Sequence, residues 1–386
     1  MIAKDEAQNL LQDFLKIESI TPDVSNAFDF LEALFVKYNF EVHRVKFKSK
    51  GTYEVENMFA TIGESNPHFC FVGHADVVAP GEISDWSNPP FSGHIENNII
   101  FSRGAEDMKG ALISSIVAGI NFTQKDLGRK GRISYLITGD EEGIAINGTK
   151  PMLEWVQNEG MKIDECIVTE PTSSEKLGDN IKVGRRGSLS LDLFINGKQG
   201  HVAYPERAAN PINPALDLLK DICGQIDSGT KNFLPTNIEI TSIDVNNQSY
   251  NVIPQRIKAS FNIRFNDLWD EELLLKFLED KISQKLNRNN IGWELKKISL
   301  AERYLTSSDK LCELLKQTIL NRVKILPNIN TLGGTSDARF VAKYCPVIEF
   351  GPVGRSMHQV DEKLPLNEFH LLTEIYEDFL FNYYSA

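Results

Sequence analysis

The sequence has little sulfur and no pattern in it. Its five cysteines, Cys70, Cys166, Cys223, Cys312 and Cys345, are scattered, odd in number and form no CxxC pair. That excludes a disulfide framework and a thiolate zinc site. Long basic runs are also missing, and acids outnumber bases, 53 to 41, for a net charge of -12. A nucleic-acid partner is therefore not expected. No apolar stretch approaches the roughly 18 residues that a membrane span needs. Residues 1–19 are amphipathic and charged and lack the apolar segment of a signal peptide, so a cytoplasmic location is expected. No internal repeat or low-complexity tract is present, which excludes fibrous, mucin-like and disordered chains.

What is present is ordinary globular composition, with 41% hydrophobic and 24% charged residues in 386. At roughly 150 residues per domain this is two or three domains. Apolar spacing predicts helices over 5–17, 25–38, 108–122 and 150–159. Short apolar runs predict strands over 40–47, 57–62, 69–73, 133–138 and 166–169. Buried strands alternating with helices imply an α/β domain around a mainly parallel sheet. From about Lys182 the pattern changes. Strands over 188–195, 238–245, 255–265 and 293–299 alternate with helices over 214–225 and 270–286. That is the β-α-β-β-α-β order of a ferredoxin-like α+β domain, inserted into the first. The expected division is 1–181 and 300–386 for the large domain and 182–299 for the insertion.

Four polar clusters fall at strand ends: Gly73-His74-Ala75-Asp76, Gly104 to Gly110, Gly139-Asp140-Glu141-Glu142-Gly143, and Thr169-Glu170-Pro171. In open α/β sheets, ligands bind beyond the carboxyl ends of the strands. Each cluster alone has a plain structural reading. A histidine after a strand can be merely hydrogen-bonded, Asp107 can cap a helix, and the paired glutamates can form a solvated turn. Taken together, they point His74, Asp107, Glu141, Glu142 and Glu170 at one place, where so many carboxylates are costly without a cation. Imidazole with carboxylate suits Zn²⁺, with Mn²⁺ or Co²⁺ as alternatives. The set is too large for one tetrahedral ion and about right for two that share a carboxylate. A carboxylate left unliganded would serve as the base for a water.

Nine segments carry a resemblance: GHADVV (73–78), RGAEDMKGA (103–111), TGDEEG (138–143), TEPT (169–172), VGRRGSL (183–189), GHVAYPERAANP (200–211), NVIP (251–254), GGTSDARF (333–340) and MHQVDE (357–362). Over essentially its whole length the chain resembles the M20 family of dizinc amidohydrolases and peptidases, and most closely its desuccinylase branch. The resemblance implies two Zn²⁺ per subunit, with Co²⁺ or Mn²⁺ possible in one site. His74, Glu170 and Asp107 would hold one ion; Asp107, Glu142 and His358 would hold the other. Glu141 would be the general acid/base, and Asp76 would orient His74. A cis peptide is implied at Asp107–Met108. His201, from the insertion, would reach the site of a second subunit and stabilise an oxyanion, which implies a homodimer. Arg185, Arg264, Gly334, Thr335, Asn251 and Tyr204 would bind the substrate. The implied reaction is hydrolysis of N-succinyl-LL-2,6-diaminopimelate, a step in lysine and diaminopimelate biosynthesis.

Rival readings keep the chemistry and change the substrate, as in an acetylornithine deacetylase, another N-acyl amino acid hydrolase or a metallo-carboxypeptidase. A non-catalytic ligand-binding protein is the rival from another class. Two positions depart from the family pattern. Glu106 stands where a small or apolar residue is expected. Gly354, four residues before His358, stands where some desuccinylases have an asparagine that contacts substrate.

Overall fold

The computed structural model describes residues 1–125, 131–286 and 291–385. The chain forms two compact units, one of residues 1–183, 305–330 and 336–386 and the other of residues 184–304 and 331–335. Gly334 and Thr335 thus fall in the second unit, on a loop that returns to it from the sequence beyond residue 299.

The first unit is built on eight strands: β1 (Glu41–Phe47), β2 (Val55–Ile62), β3 (His68–His74), β4 (Arg132–Thr138), β5 (Glu165–Val168), β6 (Asn180–Lys182), β7 (Asn328–Asn330) and β8 (Val347–Glu349). Their order in the sheet is β1-β2-β4-β3-β5-β8-β6-β7. The central run β4-β3-β5-β8 is parallel, as is β6-β7. β1 and β2 extend one edge antiparallel, and β8 meets β6 antiparallel. The α/β fold with a mainly parallel sheet is therefore present. The short strands β6, β7 and β8 escaped the sequence reading because three residues carry no periodicity.

Both sheet faces are covered, so the central strands are apolar on each side. Phe69, Phe71, Ile133, Tyr135, Ile137 and Ile167 face a core built with the helices Gly110–Lys125 and Leu366–Ser385. Cys70, Val72, Leu136 and Val168 are buried on the other face. Helix Gly110–Lys125 is buried along nearly its whole length, as expected where a helix lies between a sheet and a further helical layer. Among the described residues no helix is long and apolar enough to cross a membrane.

The second unit has a five-stranded antiparallel sheet. Asn237–Asp244, Arg256–Phe265, Gly187–Asn196 and Gly292–Ala301 lie side by side in that order, with the short strand Gly224–Gln225 beyond Asn237–Asp244. Helices Ile212–Ile222 and Glu271–Leu286 pack their apolar stripes (Ala215, Leu218, Leu219, Ile222; Leu274, Leu278, Ile282) on the Leu189, Leu191, Leu193 and Ile195 face. The β-α-β-β-α-β order is observed. The first helix ends at Ile222, not at Gln225, because Cys223 turns extended and Gly224 takes a φ of 98° to start the extra strand.

His68 opens β3 as a buried, uncharged imidazole. Nδ1 lies 2.9 Å from the Lys162 carbonyl and Nε2 2.7 Å from Ser134 Oγ. This suits a tautomer that donates from Nδ1 and accepts from the serine. Burial pushes its pKa down to about 4, against an ordinary value of about 6.5. Between these values the unfolded chain binds the extra proton. Stability is therefore expected to fall as pH drops from about 6.5 towards 4, by up to roughly 3 kcal/mol. Urea midpoints across that range should lose this slope in His68→Gln, and an unchanged slope would rule His68 out as its source.

Candidate active site

Three adjacent parallel strands end together. Register pairs His74 with Thr138 and Val72 with Val168, so the carboxyl ends of β3, β4 and β5 lie on one side. His74 is the last residue of β3, Glu141 and Glu142 follow β4 in a tight turn, and Glu170 lies two residues beyond β5. The fourth contribution comes from residues 103–109, an irregular turn leading into helix Gly110–Lys125. Gly104 sits there at φ 83°, where a Cβ would strike Val77, and the Asp107–Met108 peptide is cis.

These elements converge on Asp107. Its Oδ1 lies 3.1 Å from His74 Nε2, and its Oδ2 lies 3.3 Å from His358 Nε2. His358 Nε2 is also 2.9 Å from Glu142 Oε1, and His74 Nε2 is 3.9 Å from Glu170 Oε1. One carboxylate thus presents a separate oxygen to each of two imidazoles. Donor atoms sharing a tetrahedral ion, each about 2.0–2.2 Å from it, stand about 3.3 Å apart, so the three shorter spacings fit two ions flanking Asp107. Glu141 is also close: the ligand atoms of His74, Glu141 and Glu170 lie within 4.8 Å of one another, as do those of His74, Asp107 and Glu142.

The electrostatics call for positive charge. Hydrogen bonds to Asp107 and Glu142 hold the His358 imidazole up to about 10 against its partial burial. Burial works against a charged His74, yet the hydrogen bond to Asp107 and the charges of Asp76, Asp107 and Glu141 keep its pKa well above the ordinary value. Burial and the charge of Glu170 push the Glu141 carboxyl well up. Without a cation, protons must offset the clustered carboxylates. A pair of divalent ions would replace them.

The anchoring of this cluster is equally specific. His74 Nδ1 donates to the main-chain carbonyl of Asp76 at 2.8 Å, while the Asp76 carboxylate stands 3.7 Å away. That carboxylate instead accepts Thr21 Oγ1 at 2.6 Å and the N–H groups of Glu142 at 3.1 Å and Glu141 at 3.4 Å. One residue therefore sets both the imidazole and the two-glutamate turn. Asp140 secures the far side of that turn, accepting Tyr53 Oη at 2.7 Å and the N–H groups of Ile146 and Asn147.

Sequence reasoning overlooked Glu362. Fully buried, it accepts from Arg103 Nη1 at 2.6 Å and from the N–H groups of Gly104 at 3.0 Å, Glu106 at 2.9 Å and Asp107 at 3.1 Å. It lies within MHQVDE, and its contact with the arginine that opens RGAEDMKG spans 259 positions, which no spacing in the sequence signals. Lys109 is the other overlooked anchor, buried with Nζ 2.6 Å from the Ile17 carbonyl. The two departures also resolve. Glu106 is buried, and its carboxylate accepts the Ser356 N–H at 2.6 Å. At Gly354 the Met357 side chain fills the space a Cβ would take, and Pro171 closes the other side. An asparagine there would need Met357 to move.

The remaining predicted residues lie in the second unit. His201 is exposed and accepts the Ala203 N–H at Nδ1, with its ring 5.8 Å from that of Tyr204. Val202 donates its N–H to the Asn251 carbonyl, which brings Asn251 to the same loop cluster. A second group joins Arg185 and Gly334, Nη1 to carbonyl at 3.2 Å. Arg264 pairs in register with Ser188, and its Nη1 is buried without a hydrogen-bond partner among the described residues. Thr335 is half-buried one residue beyond Gly334.

Residues 70–382 match the profile of Peptidase family M20/M25/M40. The chain belongs to this family. A succinyl-diaminopimelate desuccinylase of Rhodopseudomonas palustris (strain TIE-1) is 43% identical over 390 residues, covering all of both chains. Another, from Nitrobacter hamburgensis, is 42% identical over 389 residues, covering 98% of this chain and 99% of its own. Solved structures share the fold at low identity. The aminopeptidase PepT from Bacillus cereus superposes with a TM-score of 0.83 at 18% identity, covering 100% of each chain. A dinuclear metal binding peptidase from the M20 family of Bacillus subtilis gives 0.71 at 14%, covering 97% of each.

Proposed function

We propose that the protein hydrolyses N-succinyl-LL-2,6-diaminopimelate to succinate and LL-2,6-diaminopimelate, using two divalent ions held by His74, Asp107, Glu142, Glu170 and His358. Full-length identity of 43% to proteins named for this reaction carries the choice of substrate. The shared Asp107 carboxylate, one oxygen to each imidazole, supports the two-ion arrangement. Bound there, Zn²⁺ would polarise the amide carbonyl and acidify a water, and Co²⁺ or Mn²⁺ would supply similar chemistry.

The rest falls to the chain's own groups. Glu141 takes a proton from the attacking water and delivers one to the departing amide nitrogen, so water and amide leave as carboxylate and amine. His201 of a second subunit donates a hydrogen bond to the oxyanion, in a cytoplasmic homodimer built through the second unit. Arg185 and Arg264 meet substrate carboxylates, for which guanidinium forks are suited. The orphaned Arg264 Nη1 supports that role. Gly334, Thr335, Tyr204 and Asn251 complete the substrate contacts.

The test is succinate release from N-succinyl-LL-diaminopimelate, with N-acetylornithine in parallel, each with added Zn²⁺ and with chelator. Metal-dependent turnover of the succinyl substrate alone is expected. Turnover of acetylornithine instead would move the error to the substrate pocket, and chelator-resistant turnover would overturn the metal reading.

A further inference from the structure

We infer that Glu106 is a positioning residue that couples the turn carrying Asp107 to the turn carrying His358, and that it sets the affinity of one metal site without affecting the other. The inference rests on the metal ligands proposed above.

The two histidines are held very differently. His74 is the end of a central strand, 1% exposed and fixed through Nδ1 by the Asp76 carbonyl. His358 has a half-exposed side chain and sits at φ 62° in a surface turn. Such a ligand wanders unless its turn is tied down. The Arg103 guanidinium reaches the His358 carbonyl only at 3.5 Å, and Arg355 pairs with an exposed Glu175. Beside the Glu362 carboxylate, which holds the 103–107 turn from beyond His358, Glu106 is a second buried tie among the described residues, and it reaches the turn on the other side of His358. Its main-chain N–H is fixed by Glu362 at 2.9 Å, and its carboxylate takes the N–H of Ser356, itself buried, at 2.6 Å. Ser356 Oγ in turn accepts the Lys363 N–H at 3.1 Å, closing the turn on its other side. A carboxylate–amide hydrogen bond in a buried setting is among the stronger ones, and losing it strands the Ser356 N–H.

Glu106 is adjacent to Asp107 in sequence and two residues from His358 through Ser356. It therefore bears on the ion shared by Asp107, Glu142 and His358. The residues that would hold the other ion, His74, Asp107 and Glu170, are set by strand ends and by the Glu362 clamp, neither of which needs the Glu106 side chain.

Stepwise Zn²⁺ affinity, measured against a chromophoric chelator on the full-length protein, tests this. Glu106→Ala should weaken one of two binding steps by about 10–100-fold, the usual effect of losing an outer partner of a ligand, and leave the other unchanged. Glu106→Gln keeps an oxygen for the Ser356 N–H and should restore most of the loss. Glu106→Asp, too short to reach, should behave like alanine and serves if the alanine variant does not fold. In a His358→Ala background the Glu106 substitution should add nothing, because the site it serves is already gone. Equal loss at both steps, no loss at either, or an additive loss with His358→Ala overturns the inference. Wild-type protein binding fewer than two ions would instead overturn the two-metal reading, and this inference with it.

Discussion

Glu141→Ala is expected to lower kcat by at least about 10²–10⁴-fold, the range a positioned acid/base contributes, while both metal ions stay bound. Glu141 lies in the turn that follows β4, its N–H fixed by Asp76, and its carboxylate faces His74 and Glu170. Burial and the charge of Glu170 both disfavour its ionised form. Removing that carboxylate therefore relieves repulsion, so the unfolding midpoint of the metal-free protein should not fall. Glu142→Ala makes the contrast, because Glu142 pairs with His358 at 2.9 Å and its loss should release an ion. Metal content and kcat measured on both variants separate a base from a ligand. A Glu141→Ala enzyme with wild-type kcat, or one that has lost an ion, would remove Glu141 from the acid/base role.

The parts of this site that were legible in the sequence are those that local chain geometry dictates. A strand ending in Gly-His-Ala-Asp, or a buried strand followed by Asp-Glu-Glu-Gly, places its polar residues at a sheet end whatever the rest of the chain does. The apolar runs that place them, Phe69–Gly73 and Ile133–Thr138, are strong because both faces of those strands are buried. The illegible parts depend on contacts between residues far apart in sequence. Glu362 meets Gly104, and Glu106 meets Ser356, across about 250 positions, and no spacing rule links such pairs. The same holds for Thr21, whose hydroxyl reaches Asp76. Glu106 shows the limit clearly. From sequence it was an unexplained acid beside the central ligand, and only the fold reveals that it faces the His358 turn.

Glu362→Ala is expected to cost about 3–5 kcal/mol of stability, the usual result of stranding one partner of a buried ion pair. Arg103 is 2% exposed, its guanidinium lies over the Trp86 ring at 5.1 Å, and Glu362 is its one carboxylate partner among the described residues. Glu362 also does a second thing that the charge pair alone does not, since it accepts three N–H groups of one turn, from Gly104, Glu106 and Asp107. The two roles separate in a double variant. Arg103→Met with Glu362→Leu removes both charges and should recover much of the lost stability, because an apolar pair of similar size often replaces a buried ion pair without loss. The three N–H groups still lack an acceptor, so the turn that carries Asp107 stays loose. Zn²⁺ affinity should therefore remain low in the double variant even as its urea midpoint rises, and because Asp107 serves both ions, both binding steps should weaken. That pattern differs from the single-step loss expected of Glu106→Ala. If the double variant regains stability and metal affinity together, the hydrogen bonds to the turn do no positioning, and Glu362 is simply the counter-ion of Arg103.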